Sequence, residues 1–111
     1  MSALRQRQLD DLVAALAALT ATLSRDPDGG WTLHFDRCLA QAQAMAGEAL
    51  DTARLNLLAG SVMSVFGGMG SFNDYVPYRA GRLIPGMEAL DAVSEQVYQA
   101  AFALRVVEGQ G

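Results

Sequence analysis

Leucine or valine returns every three or four positions at Leu9, Leu12, Val13, Leu16, Leu19 and Leu23. That spacing follows the 3.6-residue turn of an α-helix and lays one apolar stripe along it. Such a stripe has to be buried against other elements of the same kind. The rest of the chain offers three more helical stripes and no sustained alternation of period two. This feature predicts an all-α domain and no sheet.

The first helix is expected from about Ala3 to Ser24, with Ser2 as its N-cap. Asp26-Pro27-Asp28-Gly29-Gly30 stops it, since Pro, Asp and Gly each disfavour a continuing helix for a separate reason. A second helix starts near Trp31 or Thr32 and buries Trp31, Phe35, Cys38, Leu39, Ala42, Met45 and Ala46. A third, capped by Asp51 or Thr52, carries Leu55, Leu58, Ala59, Val62, Val65 and Phe66 and is stopped by Gly67-Gly68. The last begins around Pro85 to Met87, with Leu90, Val93, Val97, Ala101 and Leu104 as its stripe and Tyr98 and Phe102 widening it. It ends at Glu108-Gly109. Residues 1–111 therefore read as one helical domain, an antiparallel bundle of about four helices with a long ordered Gly/aromatic loop before the last. The alternative is three longer helices, with the second and third continuous.

Charge and composition narrow the function. The 111 residues are 51% hydrophobic and 18% charged, enough apolar content to fold. Net charge is −4, and all eight basic residues are scattered arginines. Nucleic acid is not an expected partner, because phosphate binding needs clustered positive charge. No run reaches the roughly 18 consecutive apolar residues of a membrane span. Arg5 and Arg7 precede an apolar stretch as in a secretion signal, but Asp10, Asp11 and the striped pattern oppose that reading and predict a cytoplasmic protein.

Catalytic and metal chemistry find little support. His34 and Cys38 share a helix face, yet zinc needs three or four ligands and no second cluster supplies them. Both are expected to be structural, Cys38 as a small core residue. Glu88, Asp91 and Glu95 follow helical spacing and read as a solvated face. No cofactor, metal or enzyme activity is expected. Gly67-Gly68-Met69-Gly70 has the look of a phosphate loop but lacks its Lys-Ser/Thr pair and a preceding strand.

Residues 67–86 form the longest stretch without helical periodicity. A loop of this length in a small domain is usually functional or packed by its own side chains. Phe72, Tyr75 and Tyr78 predict that it is ordered. Gly67, Gly68 and Gly70 permit tight turns, and Ser71, Asn73 and Asp74 can satisfy turn amides through their side chains. These six are the loop-structuring set. Phe66 and Phe72 are expected to pack in the core.

Phe66-Gly67-Gly68-Met69-Gly70-Ser71-Phe72-Asn73-Asp74, with Leu57-Leu58-Ala59-Gly60-Ser61-Val62-Met63-Ser64-Val65 before it, resembles a family of small bacterial proteins of unassigned function. The resemblance is specific over about 20 residues. After Asp74 the chain departs from the pattern, with Tyr75-Val76-Pro77-Tyr78 and Arg79-Ala80-Gly81-Arg82 where relatives carry a longer polar insert. Such proteins look like bacterial immunity proteins, which neutralise a toxin by binding it. The resemblance implies a cognate toxin as partner, occluded at its active site. Aromatic and arginine side chains dominate interface hot spots, so Tyr75, Tyr78, Arg79 and Arg82 are the expected contacts. Two other readings stand beside this one. One is a small-molecule or enzymatic domain with a pocket under residues 67–82, Asp74 being its acid or base. The other is a homodimeric scaffold.

Overall fold

The computed structural model describes residues 3–26, 31–46, 52–66, 78–79 and 81–108. Four helices, α1 (Ala3–Leu23), α2 (Trp31–Ala46), α3 (Thr52–Met63) and α4 (Leu90–Glu108), form an all-α bundle. α1 packs along α2 and α4, α3 packs along α4, and α2 and α3 meet over a smaller area. The neighbours run antiparallel. Gln8, near the start of α1, donates a 3.4 Å hydrogen bond to the carbonyl of Ala103, near the end of α4. At the other end of the bundle, Arg25 lies against Gly86, just before α4. Phe35 near the start of α2 touches Phe66 just past α3.

The stripes read from spacing form the core. Leu9, Leu12, Leu16, Leu19 and Leu23 of α1 meet Phe35, Cys38, Ala42 and Met45 of α2, and all are buried. Leu55, Leu58, Ala59 and Val62 of α3 and Leu90, Val97, Ala101 and Leu104 of α4 complete the layer. Each fully buried leucine stabilises the fold by about 1.5–3 kcal/mol relative to exposure. Val13, Trp31, Leu39, Val65, Phe66 and Val93 pack at the margins of this core, half-buried.

α1 closes as its terminal polar run dictates. The hydroxyls of Thr20, Thr22 and Ser24 donate to the carbonyls of Ala17, Ala18 and Ala21 at 3.1, 3.0 and 2.6 Å. The N–H groups of Arg25 and Asp26 bond back three residues, tightening the last turn. The Ser2 cap and the turn at residues 27–30 lie outside the described residues, as do residues 47–51 between α2 and α3.

Three expectations need correction. α3 ends at Met63, short of Gly67-Gly68, and the N–H of Phe66 bonds the Met63 carbonyl at 3.0 Å in a tight turn. The cause is tertiary: Phe66 turns in to meet Phe35 and Tyr98. α4 starts at Leu90, a few residues after Pro85–Met87. Gly86 has φ +91°, outside the right-handed helical region, so only turns can occupy 84–89. Finally, the chain contains a small sheet. Strands β1 (Tyr78–Arg79) and β2 (Arg82–Leu83) pair antiparallel, Tyr78 opposite Leu83 and Arg79 opposite Arg82. Two residues per strand are too few to register as alternation. The turn depends on Gly81, at φ +78°, where an L side chain is disfavoured.

Candidate functional site

The antiparallel arrangement brings the end of α1, the start of α2, the end of α3 and the start of α4 to one end of the bundle. The hairpin belongs to this end, and the described chain is anchored on both sides of residues 67–77. Upstream, Phe66 sits in an aromatic row. Its ring meets Phe35 at 6.2 Å and 64° and Tyr98 at 5.4 Å and 61° between centroids and planes. The row continues through His34 and Trp31 on one side and Phe102 on the other. Edge-on aromatic pairs of this kind stabilise by about 0.5–1.5 kcal/mol beyond burial. Downstream, Leu83 and Ile84 pack half-buried on the core and Met87 is fully buried.

Of the expected contact residues, Arg82 is exposed on β2, and Tyr78 and Arg79 occupy β1. Leu83 faces the core while its neighbour Arg82 faces out. The backbone register sets Arg79 opposite Arg82 and Tyr78 opposite Leu83. Tyr75 lies outside the described residues. So do Gly67, Gly68, Gly70, Ser71, Asn73 and Asp74, the loop-structuring set, together with Phe72 and most of the loop over the expected pocket.

His34 and Cys38 come together, with Cys38 Sγ 3.7 Å from His34 Nε2. Cys38 is only 3% exposed, and burial pushes its thiol pKa up, away from the thiolate that nucleophilic chemistry needs. His34 is half-buried, edge-on to Phe35 at 5.1 Å. The pair is therefore built as core packing with a weak thiol contact. Among the described residues no three His, Cys, Asp or Glu side chains gather as metal ligands.

Two surface features were not legible in the spacing. A cleft of about 290 Å³ lies between α2 and α3, lined by Met45, Leu57 and Leu58 with Gln41, Arg54 and Ser61. Leu57, 73% exposed, separates it from a second hollow over Gly60 and Ser64. Only the packed bundle shows that Leu57 is exposed and what flanks it. Between α1 and α4 a groove of about 520 Å³ is floored by Ala14, Ala15, Ala100 and Ala103, with Asp11 and Glu95 beside it. No helix among the described residues is long and apolar enough to cross a membrane.

A family model described as a domain of unknown function (DUF6966) matches residues 24–85, more than half of the chain. The match runs from the end of α1 through α2, α3 and the hairpin. No curated protein and no solved structure matches.

Proposed function

The chain belongs to the DUF6966 family, and we propose that it is an immunity protein, which binds a cognate bacterial toxin and occludes its active site. The observation that carries this reading is the anchored hairpin. A two-pair ribbon alone is marginal in water. Here Leu83, Ile84 and Met87 tie it to the bundle, and Phe66 ties the other end of the loop to α2 and α4. A rigid element loses little conformational entropy on docking, which favours a tight complex. It presents Arg82 to solvent, and arginine and tyrosine are the residues hot spots favour. Tyr75, Tyr78, Arg79 and Arg82 are the contacts in this reading, and Gly67, Gly68, Gly70, Ser71, Asn73 and Asp74 hold the loop's shape.

Two further observations support binding over catalysis. The His34–Cys38 contact is part-buried, and burial raises the thiol pKa, which favours its protonated form. Net charge −4 would speed encounter with a basic toxin surface.

The test is co-expression of the tagged chain with the product of the gene immediately upstream. A stoichiometric complex that silences that product's toxicity is expected. Tyr78→Ala with Arg79→Ala should abolish capture while leaving helical circular dichroism unchanged. Capture that survives the double substitution would move the interface away from the hairpin. A monomer that captures nothing yet retains a small molecule in native mass spectrometry would favour the pocket reading instead.

A further inference from the structure

The groove between α1 and α4 carries charges at fixed levels along its length. The 3.4 Å hydrogen bond from Gln8 to the Ala103 carbonyl sets those two residues level. From there the antiparallel helices advance at about 1.5 Å per residue, so Asp11 stands level with Ala100 and Ala15 with Gln96. Alanine floors the groove at Ala14, Ala15, Ala100 and Ala103, which lets another helix approach at the short end of the roughly 8–10 Å packing range. On the α1 lip Asp11 is exposed, and so is Arg7, one turn earlier on the same face. On the α4 lip Glu95 and Gln99 are exposed, the Gln99 amide donating to Glu95 Oε2 at 2.7 Å. Glu95 stands level with Leu16 of α1, roughly 14 Å along the bundle from Arg7. The midpoint of Arg7 and Glu95 falls between Asp11 and Gln99, in the middle of the groove.

We propose that this groove is a self-docking surface, in which a second copy of the chain lies about a two-fold axis through that midpoint. A half-turn about an axis normal to the groove exchanges its lips and reverses their direction. It lays the second copy's α1 over α4 and brings that copy's Arg7 level with Glu95, and symmetry supplies the reciprocal pair. The same operation carries Asp11 over Gln99, so the acids of the two copies do not meet. Symmetry alone does not produce this match. It needs opposite charges on opposite lips, equidistant from the groove's middle, as Arg7 and Glu95 are. A long face of a bundle measuring 49 × 26 × 19 Å has room for the roughly 800 Å² per partner of a stable complex. A foreign basic helix would answer Asp11 and Glu95 but would set like charge against Arg7. The inference does not rest on the toxin-docking reading. The half-turn sends the two hairpin-bearing ends to opposite extremes of the dimer, beyond the overlap of the helices.

The experiment is sedimentation equilibrium of the full chain over a concentration series, with circular dichroism as the check on folding. A monomer–dimer equilibrium is expected for the wild type. Arg7→Glu and Glu95→Arg should each raise the dimer Kd by about tenfold, since each sets like charges together twice. The double reversal, Arg7→Glu with Glu95→Arg, should bring Kd back to within about threefold of the wild type. Ala14→Trp, at an exposed position on the floor, should leave the chain helical and monomeric. A wild type that stays monomeric at every concentration would overturn the proposal. Binding of a synthetic leucine–lysine amphipathic helix by such a monomer would assign the groove to a foreign basic helix instead. A dimer indifferent to Arg7→Glu and Ala14→Trp would place the interface on another face. Two single reversals that break the dimer and a double that does not restore it would overturn the two-fold register.

Discussion

Gly86 and Gly60 should respond in opposite directions to the same substitution. Gly86 holds φ +91°, and a β-carbon there would stand 2.7 Å from Arg25 Nε and 2.9 Å from its Cγ and Cδ. Alanine at positive φ costs roughly 1–2 kcal/mol through its clash with the backbone. Displacing Arg25 adds to this, because the atoms met lie along the stem of the side chain and not only at its tip. The expected loss is about 2 kcal/mol; at about 4 °C per kcal/mol for a domain of this size, Tm falls by about 8 °C. Gly60 lies inside α3 with nothing within 4 Å of its would-be β-carbon. Alanine there restores helix propensity, a gain of about 0.8–1 kcal/mol and a rise of about 3–4 °C. Thermal unfolding followed at 222 nm measures both. A third variant, Gly86→Ala with Arg25→Ala, separates the causes: it should recover the contact part of the loss and keep the backbone part. A neutral Gly86→Ala would refute the claim that the left-handed turn at Gly86 delays α4 to Leu90. A destabilising Gly60→Ala would mean that the open face of α3 is covered.

The remaining predictions concern the core. Phe35→Ala removes a fully buried ring that also meets Phe66, and should cost about 3–5 kcal/mol. Phe102→Ala, at an exposed position on α4, should cost far less, and urea unfolding of the two variants checks the difference. Cys38 should resist iodoacetamide in the native chain and react once unfolded. Its folded pKa lies above its unfolded one, so the stability that this difference represents is complete below the unfolded pKa. It is lost as pH rises from about 8.5 through the folded value. Cys38→Ala should flatten that decline in an unfolding series from pH 7 to 10.

The stripes were legible in the sequence because burial in a bundle follows from periodicity alone. Leu9, Leu12, Leu16, Leu19 and Leu23 recur at the helical step, and an apolar face at that step has no stable place except a core. The same logic located Cys38 inside. Asp26-Pro27-Asp28-Gly29-Gly30 also announced the end of α1 in its own chemistry.

Where an element ends, or what stands opposite a residue, depended on contacts from elsewhere in the chain. Local sequence placed the end of α3 at Gly67-Gly68, but contacts with Phe35 and Tyr98 draw Phe66 inward and close the helix at Met63. Pro85 suits a first helical turn, yet the positive φ of Gly86 beneath Arg25 postpones α4 to Leu90. Arg79 and Arg82 were two arginines near a glycine until strand pairing set their backbones in register. Register is a relation between two segments, so no property of either arginine contains it. The sequence by itself determined the helices and the faces they bury, because both follow from spacing along one segment. Only the tertiary structure decided the helix ends and the register of the short strand pair, because both require parts of the chain that meet through folding.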